Sequence, residues 1–285
     1  QRLPAIGLAL LVALLQACAA TGTPESRSAQ AMALAAAHGW QPRTLTGPEF
    51  DIVAFAPGRL TAARRLTVYI EGDGLAWVNR HTPSFAPTPA DPLALRLAMA
   101  DPSGQAVYLA RPCQYTQGAS FRNCHPRYWG SHRFAPQVIG AMDHALSQLQ
   151  HASGATELVL VGYSGGAAVA ALLAAQRNDV VAWVSVAGTL DTDAWTRGQR
   201  LTPLTGSLNP SAVAAQLRSM PQWHFVGERD SVVPPSVLEG FLQAKAGPVP
   251  GPVQVQVVEG FDHQCCWVRE WPRLSQAFTH PDTPP

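Results

Sequence analysis

Residues 158–175 read LVLVGYSGGAAVAALLAA, and this stretch decides the fold. It begins with a continuous apolar run at 158–161, which is typical of a strand buried on both faces of a sheet. A tight, glycine-flanked turn follows at 162–166, and the small apolar residues at 167–175 predict a buried helix. A strand that enters a helix through a G-x-S-x-G turn is the setting of a nucleophile elbow, in which a serine hydroxyl is exposed above the end of the strand.

Apolar strands and helical segments alternate on both sides of this stretch. A parallel sheet with helices on both of its faces produces this pattern. The other predicted strands span residues 50–55, 66–70, 106–110, 180–186, 223–226 and 253–258. The other predicted helices span residues 90–100, 135–149 and 236–244, the first of them with Asp91 as N-cap and Pro92 at its first position.

Ser164 is the candidate nucleophile, because it occupies the centre of the glycine turn. A serine hydroxyl is a weak nucleophile until a base takes its proton. The candidate base is His263, which follows the last predicted strand and therefore belongs to the sheet edge that carries the turn. His224 lies inside a strand and is interpreted as a buried structural histidine, while His132 precedes a helix and is a candidate for the wall of a pocket.

Asp230 is the candidate acid that orients the histidine. It follows the strand at 223–226, one strand before His263. The chain order Ser164, Asp230, His263 is the serine, acid, histidine order that a nucleophile elbow of this type requires. The acids that remain as alternatives are Asp191, Asp193, Glu228 and Asp262.

On these motifs the chain resembles the α/β-hydrolase superfamily. The resemblance covers about residues 66–267 and depends on the stretches 162–166, 227–234 and 260–263. It implies an α/β fold with a mostly parallel central sheet, helices on both faces and a short insertion over the carboxyl edge. It also implies a serine hydrolase that cleaves carboxylic esters or thioesters through an acyl-enzyme, with no cofactor and no metal.

The resemblance also indicates which backbone amides would bind the oxyanion. In the superfamily, the loop after an early strand supplies one donor, and here the matching loop reads Glu71-Gly72-Asp73-Gly74. The N–H of Asp73, or that of Gly74, is the expected first donor, and the N–H of Gly165 is the second. Glu71 stands where the superfamily often has histidine, so its carboxylate must point away or be paired. A simple glycine turn that ends the strand is the alternative interpretation.

Two further residues are candidates for substrate contacts. Arg111 follows the strand at 106–110 at the same sheet edge and is suited to bind a carboxylate or phosphate. An ion pair with a nearby acid explains the same arginine equally well. Tyr163, in the glycine turn, and the tryptophans either line an apolar pocket or pack in the core. The tryptophans concerned are Trp129, Trp195 and Trp267.

Residues 1–17 predict a signal peptide, because Arg2 precedes an apolar run at 3–15 and small residues follow. The segment LQAC at 15–18 resembles a bacterial lipobox, in which Cys18 carries the lipid that anchors the protein on the periplasmic side of the envelope. An ordinary, cleaved signal peptide is the alternative. Residues 18–40 are expected to form a tether and a short helix, and residues 41–285 one domain with an insertion at about 189–221.

Four further cysteines follow Cys18, and an even number in an exported protein favours disulfides. Their three pairings are all open at this stage. A zinc site would need ligand spacings that the sequence does not contain. The four cysteines are Cys113, Cys124, Cys265 and Cys266.

Composition excludes several classes of function. Of the 285 residues 47% are hydrophobic and 14% charged, which is too apolar for a disordered chain. The net charge is +1 and Lys245 is the one lysine, so the chain lacks the basic surface of a nucleic-acid-binding protein. The expected partner is a small acyl substrate. An acyltransferase of the same fold and a non-catalytic envelope scaffold remain the alternative functions, and the sequence does not specify the oligomeric state.

Overall fold

The computed structural model describes residues 22–60, 64–244 and 252–279. The expected signal peptide at 1–17 and the lipidation at Cys18 lie outside the described residues. Strands and helices alternate along most of the chain. The strands are β1 (Trp40–Leu45), β2 (Ile52–Pro57), β3 (Arg65–Ile70), β4 (Trp77–Asn79), β5 (Thr82–Pro83), β6 (Ala106–Leu109), β7 (Glu157–Tyr163), β8 (Val180–Val186), β9 (Gln222–Gly227) and β10 (Val253–Val258). The helices are α1 (Pro24–Ala37), α2 (Leu93–Met99), α3 (Pro136–Ser153), α4 (Gly165–Gln176), α5 (Thr192–Gly198), α6 (Pro235–Gln243), α7 (Trp267–Leu274) and α8 (Gln276–Thr279).

Eight of the strands form one sheet in the order β1-β2-β6-β3-β7-β8-β9-β10. The six strands from β6 to β10 in this order pair in parallel, while β1 and β2 add an antiparallel edge. Strands β4 and β5 form a separate small hairpin. Because the parallel strands share one direction, the segments that follow them all emerge at the same carboxyl edge.

Both faces of the central strand β7 are buried, which explains the continuous apolar run at 158–161. Leu158 and Leu160 of β7 pack into the core under α3, α4 and α6. Val159 and Val161 point the other way, into the core under α1, α2 and α7. Successive side chains of a strand face opposite sides, so only an unbroken apolar sequence satisfies both cores.

The predicted strands and helices are all present, with ends displaced by at most four residues. Strands β1, β4 and β5 and helices α5, α7 and α8 were not expected from the sequence. The predicted N-cap at Asp91 is wrong: Pro92 occupies the cap position of α2, and Asp91 instead pairs with Arg96 at 3.1 Å. The segment between β8 and β9, expected to be an insertion, contains α5 and a short 3₁₀ turn at Pro210–Val213.

Helix α1 is attached to the rest of the structure by a buried arginine. Thr23 caps its N-terminus by accepting from the Ser26 N–H. The side chain of Arg27 donates to the carbonyls of Thr88 at 2.8 Å and Ala86 at 3.1 Å. None of the described helices is both long and apolar enough to cross a membrane.

Replacing Arg27 by methionine is expected to lower the free energy of unfolding by about 1–3 kcal/mol, because two buried carbonyls lose their donor. Urea denaturation of the two proteins measures the difference. Gln30→Ala on the exposed face of the same helix is the control and should stay within about 0.5 kcal/mol of wild type. Equal unfolding of Arg27→Met and wild type would show that the buried hydrogen bonds do not hold α1.

Candidate active site

The turn at 162–166 is too tight for side chains at its glycines. A Cβ added to Gly162 would lie 2.4 Å from the Ala167 nitrogen, and one added to Gly166 would lie 2.2 Å from the Ile70 carbonyl oxygen. Ser164 itself has φ of 52°, a conformation that costs energy for any residue but glycine. The strained turn is held by its surroundings and exposes the serine hydroxyl at the carboxyl edge, as the sequence predicted.

The structure brings Ser164, His263 and Asp230 together. The Ser164 Oγ lies 3.0 Å from His263 Nε2, and His263 Nδ1 lies 2.8 Å from Asp230 Oδ2. The second carboxylate oxygen of Asp230 accepts from the N–H groups of Val232 and Val233 at 2.9 and 2.8 Å. A fully buried carboxylate held in this way fixes the imidazole with Nδ1 as its donor, which leaves Nε2 free to accept the serine proton.

The loop that carries His263 is held by bonds to its backbone. The Tyr163 hydroxyl and the Trp267 indole both donate to the His263 carbonyl, at 3.1 and 3.2 Å. The side chain of Asp262 accepts from the N–H groups of Gln264 and Cys265. Asp262 therefore forms the turn and does not orient the imidazole.

The other candidate acids and histidines lie outside this group. Asp191 caps α5 and Asp193 lies in the first turn of that helix, while Glu228 accepts from the Gly260 N–H. His224 is buried and bonded to Ser185 at 2.8 Å, as expected for a structural histidine. His132 instead pairs with the neighbouring Ser131 hydroxyl at 2.9 Å.

The loop 71–74 lies directly against the nucleophile. A Cβ added to Gly72 would be 3.3 Å from the Ser164 Cβ, and one added to Gly165 would be 2.3 Å from Asp73 Oδ1. Within the described residues, no protein group accepts from the Asp73 N–H. Gly165 opens α4, where the first amides have no intrahelical partner. The expected donors Asp73 and Gly165 therefore belong to segments that adjoin Ser164, and neither N–H donates to another protein group among the described residues.

The carboxyl group of Glu71 is buried and bonded to its own loop, since Oε1 accepts from the Gly72 N–H at 2.9 Å. Burial raises the pKa of Glu71 to about 7, even though the hydrogen bond from the Gly72 N–H lowers it. The nearby charge of Asp91 raises it further. Glu71 therefore stands in place of the usual histidine as a group that is mostly protonated below about pH 7 and ionises above it.

Arg111 forms an ion pair with an acid. Its guanidinium is buried and lies 3.1 Å from Asp73 Oδ1, and Arg133 contacts the other oxygen of the same carboxylate. Of the two interpretations that the sequence left open, the structure shows the ion pair. Arg111 is not among the residues that line the cavity at Ser164, so the substrate contact predicted for it has no support there.

A cavity of about 340 Å³ opens at Ser164 and His263. Tyr163 lines it, as does Trp195 of α5, so the segment between β8 and β9 contributes a wall. Trp129 and Trp267 pack in the two cores instead. Besides Tyr163, Ser164, Trp195 and His263, the polar residues of the cavity wall are Glu71, Asp73, Asp91 and Gln264. The rest of the wall is apolar and consists of Gly74, Leu75, Pro89, Ala90, Leu93, Val232 and Val233.

The cysteines form two disulfides, Cys113–Cys124 and the adjacent pair Cys265–Cys266. This is one of the three pairings that the sequence allowed. Within the described ranges, no three His, Cys, Asp or Glu side chains are arranged to hold a metal ion. The first disulfide anchors the turn after β6, and the second lies directly after His263 at the edge of the site.

Comparison with solved structures identifies the fold. A puromycin hydrolase superposes with a TM-score of 0.59 at 19% identity over 84% of this chain and 38% of its own, so this chain spans about two fifths of its length. An alpha-beta serine hydrolase homologue from Coxiella burnetii gives 0.57 at 14% identity, covering 85% of this chain and 97% of its own. An esterase of Pyrococcus furiosus gives 0.53 at 11% identity and covers 85% of both chains.

No protein-family model matches the chain, and no curated protein is detectably similar to it in sequence. The structural likeness is therefore the finding that decides between folds. Together with the mostly parallel eight-stranded sheet, it confirms the expected α/β-hydrolase fold. Function has to be argued from the site itself.

The raised pKa of Glu71 predicts a pH dependence of stability. In the folded protein the pKa is about 7, against 4.5 for the unperturbed group, so the folded state binds the proton more tightly than the unfolded state. The contribution of this tighter proton binding to the free energy of unfolding is fully present below about pH 4.5 and is lost as the pH rises through about 7. The total change in the free energy of unfolding is up to about 3 kcal/mol. Glu71→Gln cannot titrate, so the variant should gain stability relative to wild type between these pH values.

Urea denaturation at several pH values between 4.5 and 8 measures this difference. Glu239→Gln, at an exposed position of α6, is the matched control and should follow wild type throughout. If Glu71→Gln also follows wild type at every pH, the buried carboxyl does not titrate in this range.

Proposed function

We propose that the protein is a serine hydrolase that cleaves carboxylic esters or thioesters through an acyl-enzyme. The main support for the proposal is the chain of hydrogen bonds from Ser164 Oγ through His263 to Asp230, with distances of 3.0 and 2.8 Å. It lies at the mouth of a cavity large enough for a small acyl group. A buried acid, an oriented imidazole and a strained serine in this order are the parts that nucleophilic acyl transfer requires.

The first half of the reaction acylates the enzyme. Ser164 Oγ attacks the carbonyl carbon while its proton moves to His263 Nε2, and the carbonyl oxygen becomes an oxyanion. The N–H groups of Asp73 and Gly165 are the proposed donors to this oxyanion, and each such donor contributes about a hundredfold or more to the rate. The intermediate collapses to the acyl-enzyme, and the leaving alcohol or thiol takes the proton from His263.

The second half returns the enzyme to its starting state. Water attacks the acyl-enzyme as His263 removes one of its protons, a second oxyanion forms and collapses, and the carboxylic acid leaves as Ser164 Oγ regains its proton. Asp230 keeps the imidazole in one orientation and stabilises its positive charge in both halves. An acyltransferase differs only in using an alcohol in place of water, so analysis of products with an alcohol present separates the two functions.

The cavity supports a preference for apolar acyl groups of modest size. Its volume of about 340 Å³ lies near the lower end of the range typical of small-molecule sites. Leu93, Trp195 and Val233 make up part of its apolar wall. The solved structures of similar fold include an esterase and a puromycin hydrolase, so both ester and amide substrates are worth testing.

Export remains part of the proposal. Residues 1–17 would direct the chain to the envelope, where Cys18 would carry a lipid anchor. The two disulfides support this location, because such bonds persist in oxidising compartments.

Ser164→Ala is expected to lower kcat/KM for p-nitrophenyl butyrate by about ten-thousandfold or more, because the nucleophile is lost. A fluorophosphonate probe should label wild type at Ser164 and leave the variant unlabelled. The control is Ser131→Ala, which removes a serine hydroxyl bonded to a different histidine, His132, and should retain full activity. A wild-type protein that is neither labelled nor active on esters and amides would instead be a binding scaffold.

Asp230→Asn is expected to lower kcat by roughly ten-thousandfold, because the imidazole loses the acceptor that fixes its tautomer. Asp193→Asn, at the competing strand end, should stay within about twofold of wild type. Steady-state kinetics on the same ester measures both. If Asp193→Asn loses activity and Asp230→Asn keeps it, the acid has been assigned to the wrong strand.

A further inference from the structure

We propose that Asp73 is a positioning residue: Arg111 and Arg133 hold its carboxylate, and this clamp fixes the loop whose amide serves the oxyanion. The clamp is defined as Asp73, Arg111, Arg133 and Gln114. The inference rests on the proposed function, because a positioned oxyanion donor matters only if Ser164 forms a tetrahedral intermediate.

Each oxygen of the Asp73 carboxylate contacts a different guanidinium. Oδ1 lies 3.1 Å from Arg111 Nη1, and Oδ2 accepts from Arg133 Nη1. The arginines are themselves held, since Arg133 Nε donates to the Gly130 carbonyl at 2.8 Å and Arg111 Nη2 donates to the Arg133 carbonyl. Their side chains are only 5% and 8% exposed, so the pairs are shielded from water and geometrically restricted.

The clamped carboxylate lies directly beside the nucleophile's turn. A Cβ on Gly165 would be 2.3 Å from Asp73 Oδ1 and 3.2 Å from Arg111 Nη1. A Cβ on the neighbouring Gly72 would be 3.3 Å from the Ser164 Cβ. The loop that carries the Asp73 carboxylate therefore packs against both Ser164 and Gly165, and we expect displacement of this carboxylate to disturb the position of the loop.

A neutral contact holds the same loop from a second side. The buried side chain of Gln114 donates to the Gly72 carbonyl at 3.0 Å and accepts from the Arg111 N–H at 2.9 Å. Gln114 follows Cys113, which is bonded to Cys124. The disulfide therefore cross-links the turn that carries Arg111 and Gln114 to the segment before α3. This cross-link holds the Arg111 and Gln114 side of the clamp in place.

The clamp also removes an electrostatic conflict. Burial would raise the pKa of Asp73, but attraction from Arg133 and then from Arg111 lowers it overall, so the carboxylate stays charged. With two guanidinium groups against one carboxylate, the group as a whole is positive. A negative side chain next to the oxyanion position is therefore compatible with catalysis, because its charge is more than balanced.

The test uses Arg111→Met and Gln114→Met, each of which removes one support of the loop and leaves Ser164, His263 and Asp230 intact. We expect kcat on p-nitrophenyl butyrate to fall about tenfold or more, with KM within about twofold. The inhibition constant of a phenylboronic acid, which forms a tetrahedral adduct on the serine, should rise by a similar factor. The loss of a residue that only stabilises the fold would not change kcat and the boronate inhibition constant by the same factor.

Arg177→Met is the matched control. Arg177 is a largely buried arginine that pairs with Asp143 and Asp179 at the far end of α4. Its loss should lower the melting temperature while leaving kcat and boronate affinity unchanged.

The outcomes separate the two proposals. If wild type is inactive and unlabelled by the fluorophosphonate, the proposed function fails and the clamp with it. If wild type is active but Arg111→Met and Gln114→Met keep kcat and boronate affinity within twofold, only the clamp is rejected. Should Arg111→Met fail to fold, Gln114→Met decides alone, because it leaves no buried charge unpaired.

Discussion

The close approach of two backbones is the constraint on which the rest of the site depends. The end of β3 lies so near the start of α4 that a Cβ on Gly166 would meet the Ile70 carbonyl oxygen at 2.2 Å. This contact requires glycine at 166, and the Ala167 nitrogen and the Asp73 carboxylate leave no room for a side chain at 162 and 165 either. The loop 71–74 lies against the serine of the same turn. The proposed nucleophile and the expected oxyanion donors are therefore positioned by close backbone packing.

The fold is predictable from the sequence where one local pattern dictates one structure. The run at 158–161 is apolar without interruption, and Ser185 alone interrupts the run at 180–186, a composition typical of strands buried on both faces. The glycine turn, together with the ends of β9 and β10, then placed Ser164, Asp230 and His263 at one edge. The three residues lie close together because parallel strands end at the same edge of the sheet. This proximity allows the hydrogen bonds that link them.

Sequence reasoning failed where a residue has several partners within reach and only the packed structure selects one. Aspartate is a favourable N-cap residue, yet the Asp91 carboxylate pairs with Arg96, and Pro92 occupies the cap position of α2. Arg111 carries no signal that separates a substrate ligand from an ion pair. Its partner Asp73 lies 38 positions away, and no periodicity connects residues at that distance. Strand β1 was missed because its side chains are mostly exposed.

The loop after β3 carries two acidic residues beside the proposed oxyanion position, where a negative charge would be unfavourable. Their charges are compensated in two different ways. Asp73 is ionised, because two arginines are fixed around it. Glu71 has no such partner, and burial raises its pKa to about 7, so that it is mostly neutral below that pH. One acid is thus neutralised by ion pairing and the other by protonation. Below about pH 7, neither arrangement brings an unbalanced negative charge to the proposed oxyanion position, so an acidic loop is compatible with the proposed chemistry.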